Sequence, residues 1–302
     1  MEARPCPACW SAAARQFGTA NGYLLVSCYR CTTVFTTTLP STPDEAMDYA
    51  GYYHASNLRI PAFVEQRLEE VADEFQPYRQ LGRWLDVGCG AGALLRAASR
   101  RGWTAVGTEV AESAAEAVRA DGFEVYVGEL EALPLAAESF DVVSLVEVVE
   151  HVDDPANLVR EAHRLLRPGG AMYITTPHGR GISARLLRTD WSAVAPPEHL
   201  QLFSLRGIRM LLQGAGLYVT SERTSAVNPY ELLNRLRRGA PQTGTQRVET
   251  GYALNESLTA TRRGVVLKAA ANTILNITRL GDAIKIRAER RTAAQPGVPR
   301  EP

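Results

Sequence analysis

The stretch Trp84-Leu85-Asp86-Val87-Gly88-Cys89-Gly90-Ala91-Gly92 decides the fold. A short apolar run hands over to three glycines at alternate positions, and a helical pattern, Ala93 to Arg101, follows directly. Glycine lets backbone approach a ligand with no side chain in the way, and the first amides of a helix lack partners of their own. The segment therefore predicts a strand, a tight loop and a helix, with a nucleotide-like cofactor on the loop. Gly88, Gly90 and Ala93 also fit the dinucleotide spacing G-x-G-x-x-G/A, so the glycines alone leave the kind of cofactor open. Glu109 lies about 20 residues on, where a carboxylate can accept both hydroxyls of an adenosine ribose.

Working outward, short apolar runs alternate with helical stretches, the pattern of a parallel sheet covered on both faces. The predicted strands are Trp84 to Val87, Ala105 to Glu109, Glu124 to Val127, Val142 to Val146 and Met172 to Thr176, then Leu217 to Thr224 and Ala283 to Ala288. Helices are expected over Ala93 to Arg101, Ala111 to Ala120, Pro155 to Leu166 and Leu205 to Gly214, the third stopped by Arg167-Pro168-Gly169-Gly170. A further excursion carries helices Tyr230 to Arg238 and Arg263 to Arg279, the latter amphipathic and read as a core-packing or dimer helix rather than a membrane-surface one.

The 302 residues carry 33 basic and 33 acidic side chains, so no excess positive field exists to hold a nucleic acid. The N-terminus lacks a signal-peptide core, and no apolar run is long enough for stable membrane insertion; a cytoplasmic protein is expected. In a reducing compartment, paired cysteines read first as metal ligands. Cys6-Pro-Ala-Cys9 and Cys28-Tyr-Arg-Cys31 give two C-x2-C knuckles with 18 residues between them, the spacing of a structural zinc site. With Gly22 to Ser27 as one strand and Thr32 to Thr38 as its partner, a zinc ribbon is expected over residues 1–40. Residues 41–80 then form a linker and leading helix, 81–290 the main domain and 291–302 a disordered tail.

Asp86, two residues before the first glycine, breaks the tie over the cofactor, because the passage resembles the first motif (LDVGCGxG) of the class I S-adenosylmethionine-dependent methyltransferases. The resemblance continues through Gly128-Glu129-Leu130-Glu131-Ala132-Leu133-Pro134, Phe140-Asp141-Val142-Val143-Ser144, Val149-Glu150-His151-Val152 and Leu165 to Gly170. It implies a Rossmann-like α/β fold with a seven-stranded sheet, its last strand antiparallel. It also implies that Asp86, Gly88, Cys89, Gly90 and Gly92 hold the methionine portion, Glu109 and Val110 the ribose, Glu129 and Leu130 the adenine, with Glu147 and Val148 flanking the sulfonium. A cationic cofactor suits carboxylates around its pocket.

Pro196-Pro197-Glu198-His199-Leu200-Gln201-Leu202-Phe203-Ser204 resembles the P-x-E-H-x-x-x-F-S/T segment of methyltransferases acting on small metabolites, among them zinc-ribbon sugar C-methyltransferases. The reading that follows is methyl transfer to oxygen or carbon of a small-molecule acceptor, a secondary metabolite or sugar. His199 is the expected general base, Glu198 its orienting carboxylate or an alternative base, and His151 a competing candidate. Tyr52, Tyr53 and His54 are candidates to close over a ligand, and His178 has no assigned role. Two rival readings share the sheet: a non-catalytic zinc adaptor and a nicotinamide-dependent oxidoreductase.

Overall fold

The computed structural model describes residues 4–40, 62–236, 253 and 258–292. Its strands are β1 Ala14–Ala20, β2 Tyr23–Cys28, β3 Val34–Thr36, β4 Arg83–Val87, β5 Thr104–Glu109, β6 Glu124–Val127, β7 Phe140–Val146, β8 Leu166–Pro177, β9 Gln201–Leu202, β10 Leu217–Ser225 and β11 Ala283–Arg290. Seven of them form one sheet in the order β10-β11-β8-β7-β4-β5-β6. Neighbours run parallel except β11, which is antiparallel to both β8 and β10. The central strands β4 and β7 are buried almost throughout, as expected of strands covered on both faces.

Chain order reverses beside β4: β5 lies on one side and β7 on the other. Such a switch point opens a crevice at the carboxyl ends of the strands, where ligands bind in doubly wound sheets. The glycine loop leaves β4 at this crevice and residues 147–151 leave β7 beside it.

At the opposite end Asp141, fully buried at the start of β7, accepts hydrogen bonds from the backbone N–H groups of Gln80, Leu81 and Arg83 and from Arg167 Nε at 2.6 Å. That pairing explains one departure from the expected elements. The helix Pro155–Leu165 passes straight into β8, and Leu166 pairs with Phe140 before a register shift. The Arg-Pro-Gly-Gly segment stops the helix as expected, but the strand begins at Leu166 instead of Met172, with Arg167 holding the segment in it.

The small sheet has the order β1-β2-β3-β9. Its first strand was not expected, because Ala14–Ala20 alternates weakly; it forms by pairing with β2. Its last strand belongs to the main domain: β9 follows His199 directly and pairs with β3. Ser204 caps the helix Leu205–Gly214 by accepting from Gly207 N at 2.9 Å, and its hydroxyl donates to the carbonyl of Cys31. A Cβ on Gly207 would lie 2.0 Å from Thr33 Oγ1, so glycine there permits the close approach of helix and ribbon.

The helix Arg262–Thr278 departs from the core-packing expectation: none of its side chains is buried. It is tied to β10 through Asn276 Oδ1, which accepts from Thr224 N, and the Leu275 carbonyl, which accepts from Thr224 Oγ1. Among the described residues no helix is long and apolar enough to cross a membrane. The expected linker 41–60, with Tyr52, Tyr53 and His54, and residues 293–302 of the tail lie outside the described residues.

Candidate active site

Gly88, Gly90 and Gly92 all have positive φ (66°, 50° and 71°), the left-handed region that side chains resist. At Gly88 the approach is also close, since a Cβ would stand 2.8 Å from Val148 Cγ2. Val148 thus packs onto the glycine loop and brings the turn after β7 against it. Cys89 donates its N–H to the Thr108 carbonyl and points its sulfur at Gly107, where a Cβ would come within 2.8 Å; burial holds its thiol well above the ordinary range. It is a packing residue of the loop.

Two buried carboxylates stand at the crevice. Glu109 accepts from Gly90 N at 2.9 Å on one oxygen, and from Val110 N at 2.8 Å and Ala111 N at 3.0 Å on the other, which knits the loop to the end of β5. Asp86 accepts from Ser144 Oγ at 2.6 Å, and Trp84 Nε1 donates to that same hydroxyl oxygen at 2.8 Å. Burial pushes the Asp86 carboxyl up to about 7; the Ser144 hydrogen bond opposes the rise and the charge of Glu109 adds to it. Both side chains accept only neutral donors among the described residues. Two buried carboxylates with no cation between them among the described residues fit a ligand that brings positive charge, and do not fit a phosphate.

The other expected cofactor contacts follow the carboxyl ends of β5, β6 and β7. Leu130 is buried at the start of a short 3-10 turn, and Glu129 is exposed just before it. Val110 is 46% exposed at the end of β5. Glu147 has φ 55°, and its carboxylate accepts from Thr175 Oγ1 at 2.7 Å.

Three of the five histidines of the chain fall near this end. His151 and His199 face each other with ring centroids 4.7 Å apart in an edge-to-face arrangement. His151 Nδ1 lies 2.7 Å from the Glu198 carbonyl and His199 Nδ1 lies 2.7 Å from the Ala193 carbonyl. A carbonyl only accepts, so both rings are protonated at Nδ1 and carry the lone pair on Nε2. At Nδ1 the Ala193 carbonyl orients His199, and the Glu198 backbone oxygen does the same for His151. Glu150 stands beside them fully buried, taking Thr176 Oγ1 at 2.9 Å on Oε2; burial, with the charge of Glu147 added, holds its carboxyl well above the usual carboxylate range. His178 is separate: its Nδ1 donates to the Gly281 carbonyl at 2.9 Å, and burial lowers its pKa to about 4, which makes it a neutral structural group.

The ribbon grips this loop at several points. Asn21 Nδ2, in the turn between β1 and β2, donates to the Pro196 carbonyl at 2.8 Å. Arg4 Nη2 donates to the Leu200 carbonyl and to Gln201 Oε1, each at 3.0 Å. Gln201 Nε2 then donates to the carbonyls of Val149 and Val152 at 2.8 Å, so the two histidine segments are tied together through a buried amide. Sequence reasoning passed over Glu150, Gln201, Ser144 and Asn21. Only Glu150 carried a signal, its adjacency to His151.

In the ribbon, Cys6 and Cys31 sulfurs are 3.5 Å apart, Cys9 and Cys28 sulfurs 3.6 Å, and all four lie within 4.8 Å of one another. Four thiolates around a tetrahedral zinc stand about 3.8 Å apart, given Zn–S bonds of about 2.3 Å. None is in a disulfide, and the Thr33 hydroxyl, 3.3 Å from Cys31 Sγ, is placed to donate to that thiolate. The residues fit a structural zinc ion.

A doubly wound sheet with β11 inserted antiparallel and a glycine loop at its switch point is the architecture of a cofactor-binding α/β enzyme, and the two carboxylates suit a cationic cofactor. The chain belongs to the methyltransferase family: the family model described as "Methyltransferase domain" matches residues 57–222, more than half of it. It is 32% identical over 213 residues to the ubiquinone biosynthesis O-methyltransferase of Ruegeria pomeroyi, covering 61% of this chain and 82% of that protein. To the protein of the same name from Methylococcus capsulatus it is 34% identical over 162 residues, covering 51% and 61%. The relative from Pseudomonas paraeruginosa is matched over 43% of its own length. In fold, an S-adenosylmethionine-dependent methyltransferase from Archaeoglobus fulgidus aligns with a TM-score of 0.53 at 17% identity, covering 80% of this chain and 100% of that one. The protein is an S-adenosylmethionine-dependent methyltransferase.

Proposed function

We propose that the protein moves the methyl group of S-adenosylmethionine to a hydroxyl oxygen of a small-molecule acceptor, activated by His151 and His199. When bound, S-adenosylmethionine supplies a methyl group on a cationic sulfur that leaves as a neutral thioether. Asp86 and Glu109 hold the charged cofactor, with Gly88, Gly90 and Gly92 giving the backbone its close approach, and Val110, Glu129, Leu130, Glu147 and Val148 bound the crevice.

The observation that carries the reading is the imidazole pair. Both rings sit at the carboxyl end of the sheet, both are fixed by a carbonyl at Nδ1, and both therefore carry their basic lone pair on Nε2, that of His151 facing Glu150 Oε1 at 3.9 Å. A hydroxyl is a poor nucleophile until its proton is drawn off, the task a basic imidazole nitrogen performs. In the simplest form, His199 Nε2 takes the proton as the oxygen bonds to the methyl carbon and the carbon–sulfur pair returns to sulfur. Glu198 acts through its carbonyl on His151.

The names of the sequence relatives support oxygen as the atom methylated and a small molecule as the acceptor. Unpaired thiols in the ribbon suit a reducing, cytoplasmic setting. The test is transfer of labelled methyl to a panel of phenols, catechols, sugars and carbon acids. Hydroxyl acceptors should be labelled, and His199→Ala should lower kcat roughly 100-fold with an unchanged cofactor Kd. Labelling of carbon acids alone, or a full-rate His199→Ala variant, would refute the reading.

A further inference from the structure

We propose that Glu150, His151 and His199 form a second metal site, separate from the four cysteines, that takes one divalent transition-metal cation and presents it to the acceptor. This deepens the hydroxyl-transfer reading and rests on it.

The geometry comes first. One ligand atom from each of the three residues lies within 4.8 Å of the others, with Glu150 Oε1 and His151 Nε2 3.9 Å apart. Some point therefore lies no more than about 2.8 Å from all three, against metal–ligand bonds of about 2.0–2.2 Å, so each atom need move by less than about 1 Å. Side-chain rotation supplies a shift of that size without moving the backbone.

Every ligand also has the outer partner that metal ligands need. His151 and His199 each donate Nδ1–H to a backbone carbonyl at 2.7 Å, which fixes the tautomer with its lone pair on Nε2. Glu150 is oriented by Thr176 Oγ1 on Oε2.

The third observation is independent of the cluster's shape. Glu150 is fully buried, yet its Oε1 receives no hydrogen bond. A buried carboxylate oxygen with no donor is costly unless a proton or a cation meets it, and here it is the atom directed at His151 Nε2, where a cation would be shared with the imidazoles. A cation supplies what the protein does not.

Two imidazole nitrogens and one carboxylate suit zinc, iron(II), manganese or cobalt, and disfavour magnesium and calcium, which prefer all-oxygen shells. Three protein ligands leave positions open, unlike the four thiolates of the ribbon. The site adjoins the cofactor loop, since Glu150 and His151 follow Val148, which packs on Gly88. A cation here lowers the pKa of a hydroxyl that reaches it. The proton goes to solvent, the oxygen pair bonds to the methyl carbon, the carbon–sulfur pair returns to sulfur and the cation is unchanged. The imidazoles then activate the hydroxyl through the ion instead of taking its proton.

The test uses the full chain with zinc in its cysteines, dialysed against cobalt(II), with metal per chain counted by mass spectrometry. Wild type should hold two ions, and His199→Ala and Glu150→Gln one each. Glu150→Gln still accepts from Thr176, so it guards against simple misfolding. The second ion should show a visible spectrum without thiolate charge transfer. Retention of only one ion by wild type, or of two by Glu150→Gln, overturns the proposal. A one-metal enzyme that still methylates hydroxyls, and loses this with His199→Ala, overturns the metal site and leaves the imidazole base in place. Two ions with no transfer to any hydroxyl uphold the site and remove the hydroxyl-transfer reading.

Discussion

Asp86→Asn should make the cofactor-free enzyme more stable while weakening its grip on S-adenosylmethionine. Asp86 is 3% exposed and its carboxyl is pushed up to about 7, chiefly by burial. An unfolded aspartate titrates at about 3.9, so the gap is about three pKa units, or about 4 kcal/mol that the folded chain loses by burying the ionised form. The folded state binds the proton more tightly than the unfolded state. The cost is thus absent below about pH 4, grows as pH rises from about 4 to about 7, and is constant above that. Asparagine keeps the oxygen that Ser144 donates to and carries no charge. At pH 8 the variant should be more stable by up to about 4 kcal/mol, or about 6 °C in Tm for a chain of this size, and by under about 2 kcal/mol at pH 5. Calorimetric titration should show cofactor affinity at least about tenfold weaker, because the buried negative charge that meets the cationic ligand is gone. A variant that melts no higher than wild type at pH 8, or by the same margin at pH 5 and 8, would sink the argument that the site stores an uncompensated charge.

Gly88→Ala should cost at least about 1–2 kcal/mol in urea unfolding from its φ of 66° alone, with more from the contact to Val148. Adding Val148→Ala should recover the contact part and leave the backbone part, and no recovery would place the clash elsewhere. Asp141→Asn leaves Arg167 buried beside a neutral group and should destabilise by about 3–5 kcal/mol at neutral pH. Burial raises the Asp141 carboxyl, but the hydrogen bonds from Arg167 and three backbone N–H groups outweigh it and hold the group below the usual range. Its stabilisation is therefore full above about pH 4 and is lost as pH falls through the lower folded value, so the two unfolding curves should converge in acid.

The sheet was legible because its strands are nearly continuous apolar runs broken by Gly and Pro, and the cofactor crevice because Asp86, the glycines and Glu109 are local to β4 and β5. The ribbon's metal site was equally plain from cysteine spacing. What the sequence hid depends on long-range pairing. Ala14–Ala20 has little apolar alternation of its own, and Gln201–Leu202 is too short to announce a strand; each forms because a partner strand supplies its hydrogen bonds. Glu150 passed for a motif residue because nothing local reveals that its Oε1 is buried without a donor. The helix Arg262–Thr278 misled in the other direction, since apolar residues at helical spacing say nothing of whether a partner surface exists within the same chain.

The ribbon's placement makes it a determinant of the histidine geometry. Between Trp191 and Ser204 the main domain supplies few regular elements, and the carbonyls of Pro196 and Leu200 are taken up by Asn21 and Arg4 of the ribbon, while Thr36 N donates to Leu200 at 3.0 Å. The carbonyls that fix the two rings, Ala193 and Glu198, belong to this same braced segment. The glycine loop instead hangs on β4 and β5, through Glu109 and Thr108, with no hydrogen bond to the ribbon among the described residues. Loosening the brace should therefore separate the two halves of the site. Arg4→Ala combined with Asn21→Ala, with zinc retained, should leave cofactor Kd within about twofold. It should lower kcat by tenfold or more, because a misplacement of about 1 Å at a reacting group costs roughly 100-fold. Equal losses in both quantities would mean that the ribbon supports the whole fold, and an unchanged kcat would mean that the loop holds its shape alone.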